Sequence, residues 1–186
     1  MESGDRAGII AMKIVINPNE ILNQPTREVT KFDKNLQETV REMEEILRNQ
    51  RDPEGVGLSA NQVGLDLRLA IVRLNPDEQD STPHFLTIIN PRIVSQSEVS
   101  TEEYEGCLSI PNQYGPLRRA QAVTVQFQDL KGEPLTIKAT DFLARIFQHE
   151  IDHLDGKLIT KISAGPFLTE AELEEKFRSK KREAGL

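Results

Sequence analysis

The chain has no tryptophan, two tyrosines, three histidines and a single cysteine. With Cys107 alone no intrachain disulfide can form, so a hydrophobic core must hold the fold and a reducing, cytoplasmic setting is expected. No apolar run approaches the roughly 20 residues that a membrane-spanning helix needs. The opening Met1 to Ala11 also lacks the apolar stretch of a secretory signal, so no membrane partner is expected. Positive charge is not in excess either. A formal net charge of −7 at pH 7 argues against direct, sequence-specific nucleic-acid binding. Repeats, low-complexity tracts and linkers are missing, and 186 residues suit one domain. Met12-Lys13 reads like a second start, so residues 1–12 are expected to be a flexible extension and residues 13–186 a single domain.

What is present is ordinary globular patterning. Lys13 to Ile16 is β-prone and ends at the turn-rich Asn17-Pro18-Asn19. Asp33 can cap a helix running to about Asn49, with Leu36, Val40, Met43 and Leu47 forming one apolar stripe. Strands are expected near Leu69–Val72, Phe85–Ile89, Arg92–Val94, Val123–Phe127 and Leu135–Lys138. Asp129 to Pro134 reads as a hairpin connection. A second helix is expected over Asp141–Leu154, closed by Asp155-Gly156, and a third over Thr169–Arg182. The pattern predicts an α+β domain: mostly antiparallel strands around a central helix, with a C-terminal helix.

The second helix carries the strongest chemical signal, His149-Glu150-Ile151-Asp152-His153. Residues four apart on a helix lie about 40° apart around its axis, so both imidazoles can reach one ion. Glu150 can lean over that ion without ligating it, as a general base should. A chance match on a surface helix is the bland alternative, weakened because two of only three histidines occupy these positions. The third, His84, sits in a polar loop and reads as solvated. A catalytic ion of this kind usually takes three protein ligands plus water. The spacing leaves the third ligand open: Glu172 or Glu174 would suit an H-E-x-x-H metallopeptidase, whereas Cys107 offers a stronger thiolate. By itself a lone cysteine is more often a small buried hydrophobe.

Three segments together resemble the motifs of peptide deformylases: Gly55-Val56-Gly57-Leu58-Ser59-Ala60-Asn61-Gln62, Glu105-Gly106-Cys107-Leu108-Ser109 and Gln148-His149-Glu150-Ile151-Asp152-His153. They occur in that family's order, and the resemblance spans about Lys13 to Ile162. It implies that Cys107, His149 and His153 hold one divalent metal ion, Fe(II) expected, with zinc or nickel as alternatives. It also implies that Glu150 is the general base, and that the Gln62 amide and the Leu108 backbone N–H donate to the substrate's oxyanion. Val56 and Gly57 would pair with the peptide as an added strand. Glu105 and Arg119 would form an ion pair that braces the cysteine loop. The implied reaction is hydrolysis of the N-formyl group of N-formylmethionyl peptides.

Ser59 stands where alanine is commoner in the family, so a hydroxyl is expected near the peptide groove. Tyr114 and Arg145 are expected to border the substrate pocket. In the C-terminal helix Thr169 and Glu172 fit a capping box. Its acidic first half and basic second half (Lys176, Arg178, Lys180, Lys181, Arg182) match the helix macrodipole, which explains the pattern as helix stability. The resemblance adds a further reading, docking of this helix on the ribosome.

Overall fold

In the computed structural model, which describes residues 12–51, 54–75 and 82–183, the helix expected after Asp33 spans Lys34–Asn49 (α1). The Asp33 side chain accepts from the Leu36 N–H at 3.1 Å, satisfying a donor that the first turn leaves over. Its stripe of Leu36, Val40, Met43 and Leu47 is buried. Each such side chain removed from water contributes about 1.5–3 kcal/mol.

That stripe packs on one face of a five-stranded antiparallel sheet. Its strands are Gly57–Ser59 (β1), Leu69–Arg73 (β2), Phe85–Gln96 (β3), Ala122–Gln128 (β6) and Pro134–Thr140 (β7), in the order β1-β2-β3-β6-β7. Between β3 and β6 in the chain lies a separate two-stranded sheet of Ser100–Cys107 (β4) and Ile110–Ala120 (β5). Side chains of β2 alternate as a strand's should: Leu69 and Ile71 join the α1 cluster, Ala70 and Val72 the opposite one. The opposite cluster is covered by the central helix Asp141–Leu154 (α2), through Ala144, Phe147, Ile151 and Leu154. β2 is therefore buried on both faces, and α2 is held across one face of the sheet.

The α+β architecture with a C-terminal helix is as expected, and α2 has the expected bounds. Gly156 ends α2 at φ +72°, a conformation that favours glycine, and a Cβ there would lie 2.7 Å from the Gln24 backbone. A single turn at Ile159–Ile162 (α3) and the helix Glu170–Glu183 (α4) follow. Thr169 and Glu172 form the capping box, with the Glu172 carboxylate accepting the Thr169 N–H at 2.8 Å.

Three local expectations change. Lys13–Ile16 is not a strand. Its backbone is instead pinned by one bond, Val15 N–H to the Gln62 carbonyl at 2.8 Å, and just beyond it Asn17 N–H bonds the Ser109 carbonyl at 2.9 Å. The two strands expected around Asn90 are one, β3, with an irregularity where Asn90 takes φ +51°. The long β4–β5 hairpin was not expected at all, since Gly106, Gly115, Pro111 and Pro116 interrupt any alternating pattern. Of the extension expected at residues 1–12, residues 1–11 lie outside the described residues, and Met12 packs against the α1 cluster.

Candidate metal centre and substrate groove

Three elements meet at one end of the sheet. α2 contributes His149, Glu150 and His153 from adjacent turns. The hairpin tip contributes Cys107, the last residue of β4, paired with Ile110 across the two-residue turn Leu108-Ser109. The tip is seated by a small cluster in which Cys107 packs with Leu22, Ile110, Leu117, Leu158 and Ile159. A short 3-10 turn, Ala60–Val63, leads out of β1 and presents Gln62.

Ligand atoms of Cys107, His149 and His153 lie within 4.8 Å of one another, and no other such group of three occurs among the described residues. Cys107 Sγ is 3.1 Å from His153 Nε2. Nδ1 of His149 is 3.1 Å from Glu105 Oε2, which leaves Nε2 as the nitrogen available to an ion. Burial alone would raise the Cys107 thiol, but the charge and hydrogen bonds of the two histidines outweigh it and hold the thiol well below its ordinary value. One thiolate and two imidazoles suit a borderline-soft divalent ion and leave coordination positions open. Glu172, the exposed capping residue of α4, and the exposed Glu174, which pairs with Arg178, are spent elsewhere. The residues present fit a single metal ion.

Glu150 is 3% exposed, and its Oε2 is buried without a hydrogen-bond partner. Burial pushes its carboxyl up to about 7, where it can both take and return a proton near neutrality. The carboxylate rests on Gly57, and a Cβ there would lie only 2.2 Å from Glu150 Oε1.

Glu105 is the hub beneath the histidines. It takes Arg119 in a two-point grip, Nε to Oε1 at 2.9 Å and Nη2 to Oε2 at 3.0 Å, as well as Arg145 Nη1 at 2.7 Å and His149 Nδ1. Burial alone would raise the Glu105 carboxyl. Its contacts with His149 and Arg119 instead hold it well below the usual carboxylate range. Arg119 also pairs with Asp152, between the two histidines, so the hairpin is clamped directly to α2.

Gln62 is oriented by its own turn. Its Oε1 accepts the Ser59 N–H at 2.9 Å and lies 2.9 Å from the Ser59 hydroxyl, which turns Nε2 toward Cys107 Sγ (3.5 Å) and Ser109 Oγ (3.3 Å). Ser59 therefore does not present its hydroxyl to the groove. It is fully buried and bonded inward, and what it orients is Gln62. Tyr114 and Arg145 both line the cavity in front of the site, together with Val56, Gly57, Leu108 and Glu150. This cavity measures about 790 Å³. Gly57 opens β1, an edge strand of the sheet, and Val56 immediately precedes it.

Sequence reasoning missed three supporting residues: Ser109, Asp152, and Asn61, whose Nδ2 donates to the His153 carbonyl at 2.6 Å. Each lies within one of the three motifs, and only the folded contacts show what it does.

A family model, polypeptide deformylase, matches residues 11–165. The chain belongs to that family. Peptide deformylase 1 of Bacillus subtilis is 41% identical over 162 residues, covering 87% of this chain and 94% of that protein. Among solved structures, the peptide deformylase of Thermotoga maritima aligns with a TM-score of 0.74 at 31% identity, covering 83% of this chain and 98% of its own. Peptide deformylase 1B of Arabidopsis thaliana, solved with an inhibitor, gives 0.74 at 32%, covering 94% and 95%. The family match over residues 11–165 makes the chain a deformylase, and the H-E-x-x-H metallopeptidase reading is not favoured. No helix among the described residues is long and apolar enough to cross a membrane.

Proposed function

We infer that the chain hydrolyses the N-formyl group from the N-terminal formylmethionine of nascent polypeptides, releasing formate and a free amino terminus. The observation that carries this is the Cys107–His149–His153 cluster with buried Glu150 beside it, in a chain matched to the deformylase family over residues 11–165. Cys107, His149 and His153 would hold the ion, which when bound supplies Lewis-acid polarisation of water and carbonyl oxygen. Glu150 takes the proton of the attacking water and returns it to the leaving amine. The Gln62 amide and the Leu108 N–H donate to the oxyanion that forms at the formyl carbon. Gly57 on the edge strand β1, with Val56 just before it, pairs with the peptide backbone. Glu105 and Arg119 keep the His149 ring and the cysteine loop in register. Residues 13–186 act as one catalytic unit.

Fe(II) is the proposed ion, with zinc or nickel able to occupy the same donors. The support is ligand softness, a thiolate with two imidazoles. Purified protein reconstituted anaerobically with Fe(II) should release stoichiometric formate from a formylated methionyl peptide and leave an unformylated protein uncut. Protein cleavage without formate release would instead favour a peptidase.

A cytoplasmic setting, where the lone Cys107 stays reduced, suits this chemistry. The basic end of α4 supports docking on an anionic surface, and the ribosome is the proposed partner. Changing exposed Lys180, Lys181 and Arg182 to Glu should abolish salt-sensitive co-sedimentation with ribosomes while leaving hydrolysis of formylmethionine amide unchanged. Equal co-sedimentation of variant and parent would leave the charge gradient as helix stability alone.

A further inference from the structure

The C-terminal segment does more than end the chain. Three residues of the groove wall, Tyr104, Asn112 and Tyr114, line the cavity from the β4–β5 hairpin. Each is bonded to residues 168–176. Tyr114 and Leu168 exchange both backbone bonds, N–H to carbonyl at 2.9 Å each way, as an antiparallel bridge. Asn112 takes φ +55°, a left-handed conformation that asparagine tolerates better than most residues, and its Oδ1 accepts the Glu170 N–H at 3.2 Å at the start of α4. Lys176 Nζ lies 2.5 Å from Tyr104 Oη and 4.7 Å from the ring centroid. With the ammonium that close to the hydroxyl, it sits toward the ring's edge, and the hydrogen bond rather than the π face is the contact.

Behind these bonds the same segment fills the hairpin's glycine. The Phe167 ring packs where a Cβ on Gly115 would lie, 2.7 Å from its Cζ, and the Ser163 hydroxyl donates to the Pro116 carbonyl at 3.1 Å. The Tyr114 ring in turn covers Gly106, where a Cβ would be 2.7 Å from Cε1, one residue before Cys107. A two-stranded sheet has little stability of its own, so its outer face must be held by something else. α2 already grips the hairpin through Arg119 and Arg145, and the segment leading into α4 with the helix's first two turns supplies a further hold.

We propose that Phe167–Lys176 is a positioning element for the substrate groove, acting through Tyr104, Asn112 and Tyr114 on the peptide beyond its formylated residue. The inference rests on the deformylase reading and adds to it the part of the chain that lies past the family's matched residues, which end at 165. Loosening the wall should weaken binding of a peptide long enough to touch it, with little effect on chemistry at the formyl carbon.

The test is a split between KM and kcat on two substrates, formylmethionine amide and a formylated tetrapeptide beginning with Met. In the metal-loaded full-length protein, the double substitution Phe167→Ala with Lys176→Met should raise KM for the tetrapeptide roughly threefold to tenfold, the scale of one or two lost contacts. Its kcat, and both constants for formylmethionine amide, should stay within about twofold. Lys176→Met alone, at an exposed site that does not threaten folding, should show a smaller KM effect in the same direction, and Lys176→Arg should restore the parent value. An active parent whose KM is unmoved by the double substitution refutes the inference. So does an equal loss on both substrates. No formate from the parent on either substrate refutes the deformylase reading, and the inference with it.

Discussion

Replacing Glu150 by glutamine should lower kcat by about 10²–10⁴-fold while the protein keeps its metal, the usual cost of losing a general base. Glutamine has nearly the shape of glutamate, so it should fit the same buried site against Gly57 without disturbing His149 or His153. What it lacks is basicity. An amide oxygen accepts a hydrogen bond but cannot take the proton of a water that attacks a carbonyl, nor hand one to the leaving amine. Burial, which lifts the Glu150 carboxyl to about 7, makes the parent residue suited to both transfers and leaves the glutamine nothing to titrate. Elemental analysis should find one ion per chain in both proteins, and the loss should fall on kcat rather than KM because proton transfer belongs to the transition state and not to substrate binding. Near-parental turnover by a metal-loaded variant would remove Glu150 from the mechanism and move the base to another group.

The donors were legible in the sequence because a helix fixes its own geometry. Once α2 is recognised, the spacing of His149 and His153 places both on one face whatever the rest of the chain does. Cys107 could not be placed by spacing, since its approach depends on a hairpin whose sequence does not look like one. β4 and β5 carry Glu102, Glu103, Glu105, Arg118 and Arg119, with glycine in both strands and proline in β5, because they serve the site and the groove as well as the C-terminal segment. The motif resemblance supplied what periodicity could not. Ser59 shows the reverse case. Its identity was noticed, but its direction is set by a tight turn that folds the hydroxyl inward onto Gln62 and Asn61, a choice of two faces that no pattern in the sequence decides. Arg145 was expected at the pocket and is there, yet its guanidinium also grips Glu105, Thr101 and the Leu117 carbonyl, tying α2 to both hairpin strands. Contacts between residues 40 apart in the chain are legible only after folding.

Gly57→Ala should cost about 10²-fold in kcat, the loss that a misplacement of about 1 Å can produce in a catalytic group. The sequence reading gives this glycine to the peptide, as backbone that an extended substrate can approach. Its packing gives it a second duty. A Cβ there would sit 2.2 Å from Oε1, 2.7 Å from Cδ and 2.9 Å from Cγ of Glu150, so the whole carboxylate must move to reach ordinary contact. Gly57 is paired with Val72 at the start of the β1–β2 ladder, and the Val56 carbonyl just before it accepts the Arg73 N–H at 2.9 Å, so the strand is held and the side chain is the part that yields. The two duties separate in a double-substitution cycle. If the methyl acts by displacing the base, Gly57→Ala should cost little further once Glu150 is already glutamine, and the two losses should be far from additive. If it acts only on peptide pairing, KM should rise by the same factor in both backgrounds while kcat holds. A thermal melt within a few degrees of the parent should accompany either result, since a methyl that unfolded the chain would lower activity without reporting on the base. Additive losses confined to KM would leave Gly57 as a peptide contact alone.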